Sequence, residues 1–181
     1  MRYKTKNNLI ITIRNCIDMD IDQIYILEKS SNKYNYWSKS TVFNEIKSSM
    51  SKYIVSELYK NKNKIVGYTG FWKILDEGHI TTINVDLNYR GVYIADILLY
   101  TLIKKAQFLN IKFLTLEVRT SNIAALNLYY KFNFKQLGIR KSYYHDNNDD
   151  ALILWTGDIN SYDYNKTLID IYKCFILYDD K

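Results

Sequence analysis

The 181-residue chain reads as one α/β domain in which helices flank a sheet. Three observations predict it. Short runs of β-branched and aromatic residues alternate with segments whose apolar residues recur at helical spacing, in the order β-α-α-β-β-β-α-β-α-β-β. Hydrophobic residues make up 48% and charged residues 24%, the balance of a chain with a buried core and not of a disordered one. There is no internal repeat and no low-complexity linker, and the length suits one domain of ordinary size.

Residues 1–8 are polar and basic and lack the apolar stretch of a signal peptide. The β-branched run from Leu9 to Arg14 predicts the first strand. Asp18 is the expected cap of a helix from Met19 to Lys29, with Ile21, Ile24, Tyr25 and Leu27 as its apolar stripe. A loop is expected at Tyr34-Asn35-Tyr36-Trp37, then a second helix from Ser40 to Ser49 with Val42, Phe43 and Ile46 inward. Lys52 to Leu58 and Lys64 to Ile74 predict a hairpin that turns at Asn61-Lys62-Asn63. Asp76-Glu77-Gly78 makes the next turn, and Ile80 to Asp86 the next strand.

The period then changes. Ile94, Ile97, Leu98, Leu102 and Ile103 mark a helix reaching about Leu109. Phe113 to Arg119 is a strand, and Ser121 or Thr120 is the expected cap of a helix through Phe132. Phe134 to Tyr144 and Ala151 to Gly157 close as an antiparallel pair. The domain is expected over 1–158. Residues 159–181 read as a C-terminal tail, with Leu168, Ile169, Tyr172 and Phe175 or Ile176 forming one more docked helix or strand.

Composition excludes several function classes. Cys16 and Cys174 stand far apart and form no CxxC pair, which argues against a disulfide scaffold or a zinc ribbon. Two histidines, His79 and His145, do not make a histidine-rich metal site, and no metal is expected. No apolar run approaches the ~18 residues of a membrane span. The net charge is +6, but the lysines are spread along the chain with no run of four, so they read as a solvated surface and not as a nucleic-acid footprint. Proline is absent, tyrosine reaches 18, and only five of the 25 basic residues are arginine. That bias follows AT-rich codons and carries no function by itself.

Three segments carry chemistry. Asn84 to Asp96 is a strand, a short loop and a helix start; the free amides of a helix N-terminus suit a phosphate, and equally the segment is a plain connection. In Leu114 to Phe134, strand alternation puts Leu114, Leu116 and Val118 on one face and Thr115, Glu117 and Arg119 on the other. By pattern alone Glu117 is a solvent-facing residue and Tyr129 a helix residue with its hydroxyl at the rim. Arg140 to Trp155 is a polar hairpin tip where His145 reads as exposed.

Together these segments resemble the GNAT superfamily of acyl-CoA-dependent N-acetyltransferases, and within it the bacterial ribosomal-protein-alanine N-acetyltransferases. The resemblance runs from about Ile11 to Asp158. Its pieces are Gly67-Tyr68-Thr69-Gly70-Phe71-Trp72, Leu75-Asp76-Glu77, Ile83-Asn84-Val85 leading to Tyr89-Arg90-Gly91, Leu116-Glu117-Val118-Arg119 with Ser121-Asn122 and Ala125, Leu128-Tyr129, Tyr143-Tyr144 and Asp150-Ala151. The Leu116 to Phe134 block is the most specific.

The resemblance implies a mixed, mostly antiparallel sheet splayed between the fourth and fifth strands, with acetyl-CoA as co-substrate in the splay. Ile83 and Val85 on the strand, then Arg90, Gly91, Val92, Tyr93, Ile94, Ala95 and Asp96 at the helix start, would hold the cofactor, their amides cradling its pyrophosphate; Asn122 would bond the pantetheine arm. Glu117 matches the family's general base and Tyr129 its general acid, with Glu77 as a secondary candidate for orienting the amine or sharing base duty. The substrate implied is a protein N-terminus, that of a ribosomal protein. Alternatives are acetylation of lysine or a small amine, a non-catalytic acyl-CoA-binding module, and an RNA- or ribosome-binding protein. Two positions depart from the family. Tyr93 stands at the central glycine of the phosphate loop, and the expected accommodation is a right-handed backbone with the ring turned outward. Asn133 stands where glycine usually follows the helix, a mild change because Asn tolerates a left-handed cap. The AT-rich composition together with the lack of a transit peptide predicts a plastid stroma, or else a bacterial-type cytoplasm.

Overall fold

The structure, a computed structural model, describes residues 1–31, 36–60 and 64–177, and the side chains of all these except 176 and 177. The Asn61-Lys62-Asn63 turn and the Tyr34-Asn35 part of the expected loop lie outside the described residues. In chain order the elements are β1 (Arg2–Lys4), β2 (Ile10–Asn15), α1 (Ile21–Ser31), α2 (Lys39–Lys47), β3 (Ser51–Leu58), β4 (Ile65–Ile74), β5 (Glu77–Val85), α3 (Ile94–Phe108), β6 (Phe113–Arg119), α4 (Ile123–Lys131), β7 (Lys135–Tyr144), β8 (Asp149–Trp155), α5 (Tyr162–Tyr172) and β9 (Ile176–Leu177). Short 3-10 turns lie at Asp18–Asp20 and Leu87–Tyr89. Among the described residues no helix is long and apolar enough to cross a membrane.

The strands make one sheet in the order β7-β8-β6-β5-β4-β3-β2-β1-β9. Every pairing is antiparallel except β5 with β6. That parallel pair holds only at Glu77↔Phe113, Gly78↔Leu114 and His79↔Thr115. From Ile80 and Leu116 onward the two strands part, which is the splay that the resemblance implies, and the site lies in this opening. β4 is buried on both faces over its first seven residues because helices cover both sides of it. On one side the buried α3 residues Ile94, Ile97, Leu98, Leu102 and Ile103 pack with Val66, Phe71 and Leu116. On the other, Ile24 and Leu27 of α1 and Val42 of α2 pack with Tyr53, Val55 and Tyr68.

Several local readings give way to longer-range partners. Asp18 does not cap the first helix: a 3-10 turn intervenes, and the Asp20 carboxylate accepts the Ile17 N–H at 2.8 Å. The same carboxylate grips the Arg14 guanidinium at 2.6 and 2.8 Å, and this buried fork sets where α1 begins. In the nine-residue α2 only Val42 is fully buried, and Phe43 points to solvent. The cap of α4 is Asn122, whose side-chain oxygen accepts the Ala125 N–H at 3.2 Å. Ser121 gives its hydroxyl to Asp149 at 2.6 Å instead.

The two ends of the chain meet. Residues 2–4, unremarkable as sequence, form β1, and β9 pairs with it at Tyr3↔Leu177 and Lys4↔Ile176. A three-residue strand with one apolar side chain carries no readable period. Tyr3 is wholly buried because the Phe175 ring meets it edge-on at 6.3 Å. Ile159, Tyr164, Leu168, Ile171 and Phe175 join the same core as α3, and the Tyr164 hydroxyl donates to the Phe132 carbonyl at 3.0 Å. Ile169, expected inward, is exposed.

Candidate active site

Where β5 and β6 part, two adjoining clefts open. The larger, about 350 Å³, lies between the end of β5, the loop after it and the N-terminal turns of α3 and α4. Of the residues expected to hold a cofactor, Ile83, Val85, Arg90, Gly91, Tyr93, Ile94, Ala95, Asp96 and Asn122 line it. Val92 packs against the core instead. The smaller cleft, about 190 Å³, is lined by both Glu117 and Tyr129 and shares Ile83, Asn122 and Ala125 with the larger.

Glu77 is not brought to them. It sits at the closed end of the parallel pair opposite Phe113, with its carboxylate 3.0 Å from His79 Nε2, and it lines neither cleft. His145 lines neither.

The loop before α3 is built to leave amides free. Ser38, Asn122 and Ser161 cap α2, α4 and α5 with side-chain oxygens, but among the described residues no side chain caps α3. Its N–H groups and the positive end of its dipole face the cleft, the arrangement that receives a phosphate. Arg90 is tied back to the end of β5, its Nε donating to the Val85 carbonyl at 3.0 Å. Asp96, an acid in the first turn, is balanced by Lys131 of α4 at 2.7 Å, and the Lys131 ammonium also lies 5.3 Å from the Tyr93 ring centre. Lys131 escaped the sequence reading because nothing local relates it to a residue 35 positions away.

Tyr93 corrects an expectation. Its backbone is left-handed, with φ 71° and ψ 11°, not right-handed. Gly91 shares this geometry at φ 75° with open space around it. The chain thus keeps at 93 a backbone conformation that glycine adopts freely, and a side chain there costs about 1–2 kcal/mol. Tyr93→Gly and Tyr93→Ala both lose the ring, so comparing them isolates that strain. After glycine's extra unfolded-chain entropy of about 0.5–1 kcal/mol, Tyr93→Gly should melt about 2–4 °C above Tyr93→Ala. Its acetyl-CoA Kd should stay within about threefold of the native chain, because the amides already occupy their positions. Calorimetry checks both, and equal melting temperatures would mean that the site carries no strain.

At the reaction end, Glu117 is the exposed residue of an otherwise buried stretch of β6. An Arg140 amino group lies 3.3 Å from its carboxylate. Tyr129 is buried, its ring 5.5 Å from that of Phe134, and among the described residues its hydroxyl has no hydrogen-bond partner. Burial pushes its pKa well up, so the phenol holds its proton throughout the neutral range. Tyr144 completes the wall; the Arg119 guanidinium lies 3.8 Å over its ring while gripping Asp146 at 2.8 Å, which pins the β7–β8 tip. Asn84 also lines the larger cleft, its amide donating to Glu28 at 3.2 Å. The sequence motif contains Asn84 and Tyr144, but only the packing shows which way they face. A carboxylate and an un-ionised phenol thus share one cleft beside an anion-receptive helix end, a set suited to moving protons during acyl transfer.

Residues 20–134 match the family model described as the acetyltransferase (GNAT) family. A Bacillus subtilis (strain 168) protein provisionally named a ribosomal protein bS18-alanine N-acetyltransferase is 36% identical over 144 residues, covering 79% of this chain and 93% of the relative. The Escherichia coli (strain K12) protein named ribosomal protein bS18-alanine N-acetyltransferase is 29% identical over 145 residues, covering 79% and 95%. The crystal structure of the ribosomal-protein-S18-alanine N-acetyltransferase from Escherichia coli superposes with a TM-score of 0.75 at 26% identity, covering 84% of this chain and 99% of that one.

Proposed function

This chain belongs to the acetyltransferase (GNAT) family and is an acyl-CoA-dependent N-acetyltransferase, and from that premise we propose that it acetylates the N-terminal α-amino group of a protein, specifically a ribosomal protein. The observation that carries the reading is the single cleft lined by Glu117 and Tyr129, opening onto the uncapped start of α3. The names of the relatives support the choice of substrate.

Acetyl-CoA suits the larger cleft. Amides from Gly91 to Asp96 take the pyrophosphate, and apolar Ile83, Ile94, Ala125 and Leu128 flank the pantetheine arm. The Asn122 oxygen is spent capping α4, so its amide N–H groups remain for pantetheine. The substrate nitrogen attacks the thioester carbonyl carbon and passes a proton to Glu117, directly or through a water. A backbone N–H of splayed β5 polarises the carbonyl. The C–S bond breaks, and Tyr129 donates its proton to the departing sulfur. An α-amino group, with a pKa of about 7.7–8.0 against about 10.4 for lysine, loses its proton readily enough for a carboxylate to serve as base. The lysine-rich, proline-free composition supports an AT-rich source genome, with the plastid stroma as compartment.

Mass spectrometry of short peptides incubated with the chain and acetyl-CoA tests this. Ala-starting peptides should gain one acetyl group at the N-terminus, and an N-blocked lysine peptide none. Preference for the lysine peptide would move the chain to a different amine, and acetyl-CoA binding without any product would make it a non-catalytic module.

A further inference from the structure

We infer that the Thr81 hydroxyl is a specificity-determining acceptor, taking one N–H of the incoming primary amine across the opening from Glu117; this rests on the proposed attack of an amine beside Glu117. Thr81 is the residue that the β4–β5 ladder skips. Gly70 faces Thr82 and Phe71 faces Ile80, so Thr81 is the extra residue of a bulge, a device that re-aims a side chain. Counting on from the last parallel pair, His79↔Thr115, Thr81 comes level with Glu117 on the opposite strand, and both line the smaller cleft.

A threonine hydroxyl can donate or accept, but here its proton is committed. Glu45 of α2 accepts two hydrogen bonds on one oxygen, from Trp72 Nε1 at 2.8 Å and from the Tyr53 hydroxyl at 2.9 Å. Tyr53 Oη and Thr81 Oγ1 stand 2.7 Å apart, so one proton lies between them. The single Tyr53 proton goes to the carboxylate, the stronger acceptor, and Thr81 must therefore donate to Tyr53. The other acceptor near Thr81 among the described residues, the Gly70 carbonyl, stands 3.4 Å away, too far to hold that proton by itself. With Tyr53 in place, Thr81 shows the cleft only lone pairs. Gly70 makes the relay possible: any side chain there would strike the Tyr53 ring, which lies across β4 to reach Thr81.

Two acceptors, Thr81 Oγ1 and the Glu117 carboxylate, thus stand level across the opening. They match an amine that binds as its ammonium and still carries two N–H bonds in its neutral, attacking form, a primary amine. A hydroxyl or a secondary amine in its neutral, attacking form has one hydrogen, too few to satisfy both.

Steady-state kinetics of the full chain with an Ala-starting peptide tests this, alongside calorimetric titration with acetyl-CoA. Thr81→Val, which keeps the shape and removes the acceptor, should raise the peptide KM about tenfold, within the range for a hydrogen bond to a charged group. Its kcat should stay within about threefold and its acetyl-CoA Kd should not change. Thr81→Ser, which keeps the hydroxyl, should restore the KM to within about threefold of the native value. Tyr53→Phe, which releases the Thr81 proton toward the cleft, should raise the KM about threefold. A peptide KM within twofold of native for Thr81→Val, with acetyl-CoA binding intact, would overturn the inference. Should Thr81→Val lose acetyl-CoA binding as a misfolded chain would, Tyr53→Phe decides, and an unchanged KM overturns it. Failure of the proposed function looks different: the native chain would leave α-amine peptides untouched, and the variants would then be read on the N-blocked lysine peptide by the same criteria.

Discussion

Glu117→Gln is expected to lower kcat by about two orders of magnitude or more, the range for removing a general base. The substitution keeps size and shape and removes the charge that receives the proton. Acetyl-CoA affinity should be unchanged, because Glu117 lines the smaller cleft and not the larger one proposed for acetyl-CoA. Stability should barely move. The ion pair with Arg140 is partly exposed, with side-chain exposures of 52% and 34%, and such pairs contribute about 0–1 kcal/mol. Glu77→Gln is the control. Glu77 sits at the closed end of the parallel pair beside His79, so its loss should leave kcat within about threefold of native. A mild Glu117→Gln with a severe Glu77→Gln would exchange the roles.

Tyr129→Phe is expected to slow transfer about a hundredfold, as for a lost proton donor. The structure makes the companion measurement decisive. A core tyrosine whose hydroxyl is bonded loses stability when that hydroxyl is removed, but the Tyr129 hydroxyl has no partner among the described residues. Replacing it with hydrogen leaves no orphaned group behind, so the melting temperature should hold or rise slightly. A fall in melting temperature with a normal rate per folded molecule would make Tyr129 a packing residue. Burial also keeps the phenol protonated far above neutral pH, so loss of activity on the alkaline side should survive in Tyr129→Phe if other groups cause it.

Much of this was legible along the chain. The spacing of Ile94, Ile97, Leu98, Leu102 and Ile103 marks α3, because a 3.6-residue period is imposed locally by the backbone and recorded wherever one face is buried. Glu117 and Tyr129 were singled out only through the family resemblance; that both line one cleft follows from a strand, a turn and a helix in immediate succession. Tertiary structure alone decided the rest. Glu77 stood as a secondary candidate beside Glu117 until the β5–β6 pairing showed that one lies at the closed end and the other at the opening. Asn122 caps α4 in place of the expected Ser121 or Thr120, because Asp149, distant in sequence, takes the Ser121 hydroxyl. Tyr93 is left-handed although its residue type favours the opposite, because the strand before it and the helix after it prescribe the turn. β1 pairs with the nearby β2 along its length, but its other edge and the burial of Tyr3 are completed by β9 and Phe175 from the far end of the chain. For the helix cap the local alternatives differ by about 1 kcal/mol or less, and a partner tens of residues away supplies the difference; at Tyr93 the cost is about 1–2 kcal/mol and the flanking strand and helix impose it.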